Sequence, residues 1–411
     1  PNLASFRYAL ASTPMEVAEK SFESGGRHFN AGSVIIRGAD ADTVRSAAQR
    51  AGVEAVALAA APEVPSHPLV AARIAVVHNW QGTVGDGWER VTMDQLHVPY
   101  TYIADTRIRV TPNLRQQFDV IVLPSTLGFN LASMINGVSG KQPIPWMNTP
   151  DMPDLAPPGL DSTPDIRGGL GLSGVQNLEA FVNQGGLLVA IGPSMAVATD
   201  TGMADGVSTR APQGLNARGD LIRAEVTDLN SPVMYGYSPK MDVYYSTGLL
   251  LQTGGGGRGG FGGRGGAGAN ARTSGIGSPT SPDVIQTRPS DAELLKQSLG
   301  GKPEPKGNQQ EGGFFNRAPA GPPPRVLIRF VKDPKELLLS GLLTGGQVIA
   351  GQPFVVDARH GQGHVLLFAG NPMWRNETSG EFSMLFNAAM NYNHLDAGEK
   401  PVKAVAGPAS N

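Results

Sequence analysis

Residues 73–78 read Arg-Ile-Ala-Val-Val-His, and three later stretches repeat this short, apolar pattern: Phe118-Asp-Val-Ile-Val-Leu-Pro124, Gly186-Leu-Leu-Val-Ala-Ile-Gly192 and His364-Val-Leu-Leu-Phe-Ala369. Such runs are typical of parallel strands that are buried on both faces. Helices are predicted between them at Val91–Leu96 and Gly174–Gln184, with a further short strand at Tyr100–Ile103. This alternation predicts an α/β fold with an open, doubly wound, mostly parallel sheet.

Smaller elements are predicted on either side of this core. Near the start we expect strands at Ala4–Leu10 and Ser33–Arg37, and a helix at Ala41–Ala51 with Asp42 as its cap. The segment Ala61–Pro68 has the composition of a linker. Near the end, Val326–Val331 and Gln347–Val356 are predicted to add antiparallel strands, and Glu381–Asn393 to form a closing helix.

These elements predict five regions along the chain. They are a small β/α unit at 1–65, the main α/β domain at 66–252, an insertion or mobile loop at 253–324, the completion of the domain at 325–396, and a disordered tail at 397–411. The insertion is rich in Gly, Pro and Ser, so it cannot bury enough apolar surface to offset its ordering entropy.

Composition excludes several classes of function. The 411 residues contain no cysteine, which removes disulfides, thiolate catalysis and Cys-ligated metals. A net charge of −2 argues against a global electrostatic footprint for nucleic acid. The stretch Arg258-Gly-Gly-Phe261-Gly-Gly-Arg264 resembles the Arg-Gly-Gly segments of RNA-binding proteins, but with only two arginines and one phenylalanine it is predicted to be a solvated linker. No phosphate-binding glycine motif lies between a strand and a helix, and no run approaches the roughly 20 apolar residues of a membrane span. The start at Pro1 suggests a processed product, a fragment, or a form trimmed for crystallisation.

Several short strings carry a resemblance to a known family. They include His78-Asn-Trp80, Gly87-Trp88-Glu-Arg90, Asp161-Ser-Thr-Pro-Asp165-Ile-Arg167-Gly168-Gly169, Asp357-Ala-Arg359 and Asn371-Pro-Met-Trp374-Arg375. Together they resemble the region that follows the catalytic domain in long bacterial zinc carboxypeptidases. In that family this region is similar to a class I glutamine-amidotransferase, or flavodoxin-like, domain.

The resemblance implies a parent metallocarboxypeptidase that is extracellular or periplasmic. The family's peptidase domain binds zinc through a His-x-x-Glu pair and a distant histidine, but none of the seven histidines here has a glutamate three positions later. We therefore expect no metal or other cofactor in this chain. Zinc is expected only in an N-terminal peptidase domain that the chain lacks.

Ser194 is the weak catalytic candidate. It follows a predicted strand at the place where amidotransferase-like folds put their nucleophile on a tight strand-to-helix turn. The family nucleophile is cysteine, and a serine would need a histidine base within hydrogen-bond reach. His360 and His364 are the late candidates, but His364 opens a strand and so lies at the wrong end of the sheet. The alternative is a helix N-cap.

Two loops supply the ligand-binding candidates. His78, Trp80, Asp86, Trp88 and Arg90 follow the first buried strand, whereas Asn371, Trp374 and Arg375 follow the last. Ligands of open α/β sheets gather at the carboxyl ends of strands, so both loops are predicted to face one crevice suited to a peptide carboxylate or a sugar. The alternative is that they contact a neighbouring domain or subunit. Arg167 with Asp165 is a further candidate, or a structural ion pair.

Three hypotheses about function remain open from the sequence. The leading one is a non-catalytic accessory, binding or self-assembly region of an exported zinc carboxypeptidase-like protein. Its partners would be the absent peptidase domain or further copies in an oligomer or filament, through exposed loops such as Ile144-Pro-Trp146-Met147. The others are a Ser194-dependent amidohydrolase and a peptide- or carbohydrate-binding module that uses Trp80, Trp88 and Trp374.

Overall fold

The computed structural model of the chain describes residues 1–82, 84–125, 130–156, 161–246, 248–253 and 322–399. Its strands are β1 Met15–Ala18, β2 Phe22–Ser24, β3 Arg27–Phe29, β4 Val34–Ile36, β5 Ser66–Pro68, β6 Ile74–His78, β7 Tyr100–Ala104, β8 Val120–Leu123, β9 Leu187–Ile191, β10 Val207–Arg210, β11 Arg218–Val226, β12 Lys240–Ser246, β13 Leu250–Thr253, β14 Arg325–Phe330, β15 Leu338–Ser340, β16 Pro353–His360 and β17 Gly363–Phe368.

The α-helices are α1 Asn2–Ala9, α2 Ala41–Ala51, α3 Asp86–Gln95, α4 Asp105–Arg109, α5 Leu114–Gln117, α6 Leu131–Asn136, α7 Gly171–Asn183, α8 Ala196–Thr199 and α9 Phe382–Met390. Most of the predicted insertion, including the Arg258–Arg264 stretch, and the predicted tail beyond residue 399 lie outside the described residues.

The predicted parallel core is confirmed. The strands β17, β9, β8, β6 and β7 lie side by side in that order and pair in parallel. If these five strands are numbered 1 to 5 along the chain and read across the sheet from β7, their order is 2-1-3-4-5, which is the order of flavodoxin-like sheets. Every residue of β6, β8 and β9 is buried, as their continuous apolar sequence requires.

An antiparallel extension completes the ten-stranded sheet. β16 pairs with β17, and the sheet continues through β14 and β11 to β12, with β15 also against β11. The strand predicted at Val326–Val331 corresponds to β14. The one predicted at Gln347–Val356 begins later, as β16, because residues 346–348 form a 3₁₀ turn. The fold class is therefore α/β with a flavodoxin-like, glutamine-amidotransferase-like sheet and added antiparallel strands.

The N-terminal region required two corrections. The strand predicted at Ala4–Leu10 is wrong, because these residues lie in α1 and its end, and the buried Ala4, Arg7 and Leu10 follow helical spacing. The helix α2 has the predicted bounds, but its cap is Asp40 rather than Asp42. The Asp40 carboxylate accepts a hydrogen bond from the Thr43 N–H at 2.8 Å.

This N-terminal region packs onto the main sheet layer. It contains the three-stranded sheet β4-β1-β5 and the β2–β3 hairpin, so part of the predicted linker is a strand. Tyr8 donates to the Ala72 carbonyl at 2.8 Å, and the His67 ring bonds to Asn391 beyond α9 at 2.9 Å. Buried residues of the region belong to the same hydrophobic cluster as the parallel strands.

Candidate functional site

Aromatic rings collect where β6 and β7 end. The ring of His78, the last residue of β6, stacks on Tyr102 of β7 with centroids 4.3 Å apart. The Arg90 guanidinium covers Tyr102 at 4.1 Å, and Trp80 meets His78 edge-on at 4.9 Å. β6 and β7 are adjacent parallel strands, so their carboxyl ends lie side by side and the side chains there come close together.

Trp146 extends this group from a distant loop. Its ring centroid lies 6.4 Å from that of Trp80, and its side chain is 41% exposed. Two backbone hydrogen bonds with Thr163, at 2.8 and 2.9 Å, hold the Trp146 loop in place. The Trp80 indole Nε1 is buried and has no hydrogen-bond partner among the described residues, so an unsatisfied donor lies beside a half-exposed aromatic face. We call His78, Trp80, Tyr102, Trp146 and Asp161 the switch-point crevice.

Asp161 supplies the carboxylate of the switch-point crevice. Its Oδ2 lies 3.3 Å from His78 Nε2 and accepts a hydrogen bond from the Ala104 N–H at 2.9 Å. The hydrogen bond from His78, together with that from Ala104, holds the pKa of Asp161 below its ordinary value despite partial burial. The other ring nitrogen of His78 faces the Asn79 carbonyl at 3.2 Å. The crevice thus contains an ionised, part-exposed carboxylate that is held by a histidine.

Two further carboxyl groups lie beneath these rings. Burial raises the pKa of Asp105 to about 7, and the hydrogen bond that its carboxylate accepts from the Thr106 N–H at 2.7 Å offsets this only in part. Burial also raises the pKa of Asp86, whose Oδ2 accepts a hydrogen bond from the Tyr102 hydroxyl at 2.5 Å. Asp105 directly follows β7 and Asp86 begins α3, so both carboxyl groups with raised pKa values border the crevice.

The candidates after β17 form a second cluster. Trp374 meets Trp88 of α3 at 4.1 Å and stacks on Tyr244 of β12 at 4.8 Å, while Arg375 is exposed over the Trp374 ring at 5.6 Å. The structure thus brings Trp88 of α3 together with Trp374 of the later loop. It places Trp80 in the switch-point crevice instead. The ring faces of the second cluster are largely occupied by one another.

Asn371 anchors the second cluster to α3. Its amide Nδ2 donates to Glu89 Oε1 at 2.9 Å. Glu89 is fully buried, and burial raises its pKa to about 8, with the neighbouring Asp86 charge acting in the same direction. A carboxyl with this pKa is protonated at neutral pH, which makes a buried position tolerable.

The Ser194 position does not have the geometry of a nucleophile. Ser194 is fully buried, its hydroxyl donates to the Pro124 backbone carbonyl, and no histidine nitrogen bonds to it among the described residues. His364 pairs with Leu187, the first residue of β9, so it lies at the end of that strand opposite to Ser194. The residue at the turn itself is Gly192, with a φ of +56°. The elbow therefore presents no side chain.

Arg167 is committed to a structural contact. Its guanidinium forms a forked ion pair with Asp165, with contacts of 2.7 to 3.0 Å, and also donates to the Gly140 carbonyl at 3.1 Å. The hydrogen bonds from Arg167 hold the pKa of Asp165 at about 2. This geometry agrees with the alternative stated for Asp165 and Arg167, a structural ion pair.

Two kinds of functional feature are absent from the described residues. Among the described residues, no three or more His, Asp or Glu side chains are placed to hold a metal ion. In the same ranges, no helix has the length and apolar character needed to cross a bilayer.

Sequence reasoning missed three members of the switch-point crevice, Tyr102, Trp146 and Asp161, and the neighbouring Asp105. Tyr102 and Asp105 lie at the carboxyl end of a predicted strand, so the rule that identified His78 applies to them too. Trp146 had been noted only as an exposed loop residue. Asp161 reaches the site from 57 residues beyond Ala104, and no local pattern indicates such a contact.

Comparisons with known proteins give similarity of fold alone. Neither known sequence families nor curated proteins yield a match. A cytoplasmic protein from Salmonella typhimurium is 12% identical, with 77% of this chain and 97% of that chain covered and a TM-score of 0.35. A ThuA-like protein from Bacteroides uniformis is 10% identical, with 77% and 89% covered and a TM-score of 0.35. A glutamine amidotransferase from Thermotoga maritima is 10% identical, with 44% and 62% covered and a TM-score of 0.26. At these low values the fold class rests on the strand order itself.

Proposed function

We propose that this chain is a non-catalytic ligand-binding region, the accessory part of an exported bacterial zinc carboxypeptidase-like protein. The observation that carries the binding role is the switch-point crevice at the ends of β6 and β7, in a fold whose elbow after β9 has Gly192 as its turn residue. The strings around His78, Asp161 and Asn371 support the proposed parent, and with it an extracellular or periplasmic location and a peptidase partner domain. Self-association through the exposed Trp146–Met147 loop is part of the same proposal.

The chemistry of the crevice favours a sugar as its ligand. The half-exposed Trp146 ring offers a flat apolar face of the kind on which a pyranose stacks. The Asp161 carboxylate is partly exposed and can accept hydrogen bonds from the hydroxyl groups of a sugar. A small number of placed polar groups around aromatic side chains is the usual makeup of such sites.

Titration with a panel of tri- to hexasaccharides, followed by tryptophan fluorescence, tests the binding role. We expect saturable binding that Trp146→Ala or Asp161→Asn weakens at least tenfold. Met147→Ala is the matched control, because Met147 is equally exposed in the same loop but lies outside the crevice. Binding unaffected by both crevice variants, or no binding by any saccharide, would refute the proposal for this site.

A separate assay addresses the accessory role. The parent protein from its native source should bind zinc and trim a C-terminally unblocked peptide but not its blocked counterpart. This chain alone should trim neither. Zinc-independent hydrolysis by this chain that is lost in Ser194→Ala would instead favour the amidohydrolase.

A further inference from the structure

The strand β7 is the outer edge of the ten-stranded sheet. It pairs with β6 on one side, and no other strand of the described residues lies beyond it. An unpaired strand edge presents a row of backbone donors and acceptors that another strand can use. Natural sheets commonly protect such edges, so an open one calls for an explanation.

The open part of the edge is bounded at both ends. The Ala104 N–H donates to Asp161, so it points away from β6. Since backbone groups of alternate residues face the same side, the N–H and C=O groups of Tyr100 and Tyr102 also point outward. No backbone hydrogen bond to them from outside the sheet is present among the described residues. Pro99, which has no N–H, closes the other end. The free edge therefore spans Tyr100 to Tyr102.

A cleft runs beside this free edge. Its volume is about 650 Å³, and its walls include Arg90, Asp94 and His97 from α3 and its end together with both tyrosines of β7. Arg90 donates from Nε to the Tyr100 hydroxyl at 3.3 Å and covers the Tyr102 ring. It forms no ion pair with a carboxylate within 4 Å in the described part of the chain, so its guanidinium is available to an acidic group.

We propose that the edge of β7 takes up an extended peptide as an added strand, with an acidic side chain of the peptide paired to Arg90. Added strands gain affinity from main-chain hydrogen bonds and specificity from pockets for alternate side chains. Here the open edge of β7 offers the main-chain hydrogen bonds, and the cleft offers a pocket for a side chain. A carboxylate fits the fork of Arg90 in a way that no neutral group matches. The peptide surface does not depend on the sugar proposed for the switch-point crevice, although Tyr102 borders both.

A second copy of this chain is the competing occupant. Antiparallel pairing of two β7 edges would use only the short stretch from Tyr100 to Tyr102. A ladder of this length falls far short of the roughly 1,200 Å² that stable interfaces bury. A single peptide strand can pair with the free edge of β7 and place a side chain in the cleft beside it, and it does not need a large interface. The peptide is therefore the better fit.

The test uses two fluorescein-labelled heptapeptides of alternating valine and threonine, one with a central glutamate and one with a central lysine. Fluorescence anisotropy should show binding of the glutamate peptide at least tenfold tighter than that of the lysine peptide. Arg90→Gln should remove this preference, and Arg90→Glu should reverse it. Equal affinities for both peptides in the wild-type chain, or no binding up to about 1 mM, would overturn the proposal.

A matched pair of variants tests the backbone contribution. Tyr100→Ala and Tyr100→Pro both remove the ring, but only proline removes the outward N–H, and proline is tolerated at the first residue of an edge strand. We expect the proline variant to bind the glutamate peptide at least fivefold more weakly than the alanine variant. Circular dichroism verifies that both are folded. Equal affinities of the two variants, or a dimer in sedimentation that Tyr100→Pro dissociates, would overturn the proposal, the second in favour of a second copy.

Discussion

Replacement of His364 by alanine should both lower the stability of the protein and change how stability depends on pH. His364 is 5% exposed and lies between two carboxylates, with Asp357 Oδ1 at 2.8 Å from Nδ1 and Asp396 Oδ1 at 3.3 Å from Nε2. Burial by itself lowers the pKa of His364, but the charges and hydrogen bonds of Asp357 and Asp396 outweigh it and raise the pKa to about 10. The ring is therefore a cation in the folded protein at neutral pH.

The magnitude follows from this shift. The ordinary pKa of histidine is 6.5, and at about 1.4 kcal/mol per pH unit a rise to about 10 corresponds to roughly 5 kcal/mol. Because the pKa of His364 is higher in the folded than in the unfolded protein, its protonation stabilises the folded state. This contribution is complete below pH 6.5 and is lost as pH rises toward 10. In His364→Ala the buried Asp357 loses its compensating charge, so we expect the free energy of unfolding at pH 6.5 to fall by about 3–5 kcal/mol.

Urea unfolding at pH 6.5, 8 and 10 measures both effects. The wild-type chain should lose stability across this range, and His364→Ala should lose much less. His28→Ala is the control, because His28 forms an ion pair with Glu23 at 2.7 Å but is more than half exposed, and exposed pairs contribute about 1 kcal/mol or less. A loss below about 1 kcal/mol at pH 6.5 in His364→Ala, or equal pH dependence in variant and wild type, would refute this reasoning.

Three further substitutions test local features by urea unfolding. The raised pKa of Glu89, about 8, makes the free energy of unfolding of the wild-type protein fall as pH rises from 4.5 toward 8. Glu89→Gln removes this titration, so the stability of the variant relative to wild type should be higher at pH 8 than at pH 5. A difference between variant and wild type that does not change with pH would contradict this. Gly192→Ala should cost about 1–2 kcal/mol, since its φ is +56° and an added Cβ would lie 3.3 Å from the Ser125 Cβ; an unchanged stability would show that the turn relaxes. His97→Gly should gain about 0.5–1 kcal/mol, because His97 has a φ of +53° where α3 ends, with its N–H bonded to the Asp94 carbonyl as in a glycine-terminated helix; a loss would indicate that the His97 side chain contributes contacts of its own.

The prediction errors in the N-terminal region have a common cause. In Ala4–Leu10 apolar and polar residues alternate closely enough to suit a strand, yet the same buried positions fit one face of a helix. Short segments satisfy both periods, and only packing against α2 and α9 selects between them. The strand β11 was missed although its buried and exposed residues alternate regularly. Asp220 occupies a buried position and Leu221 an exposed one, so the apolar alternation that indicates a strand is obscured in the sequence.

The sequence by itself determined the parallel core and indicated where a candidate site would lie. A continuous apolar run between turns has few options other than a strand buried on both faces, so β6, β8, β9 and β17 follow from local residue order. His78 and Trp80 come at the end of β6, and the rule that ligands bind at the carboxyl ends of such strands makes them candidates for a binding site. These inferences need no knowledge of distant residues.

Only the tertiary structure decided which side chains complete the site. Asp161 is 83 residues from His78 in the chain, and Trp146 reaches Trp80 through a loop held by Thr163. The structure also shows that the turn residue of the elbow is Gly192, at a φ of +56°, and that burial raises the pKa of Glu89. Contacts of this kind depend on the path of the loops and on the solvent that packing excludes, and neither quantity is encoded in the residues on either side of a position.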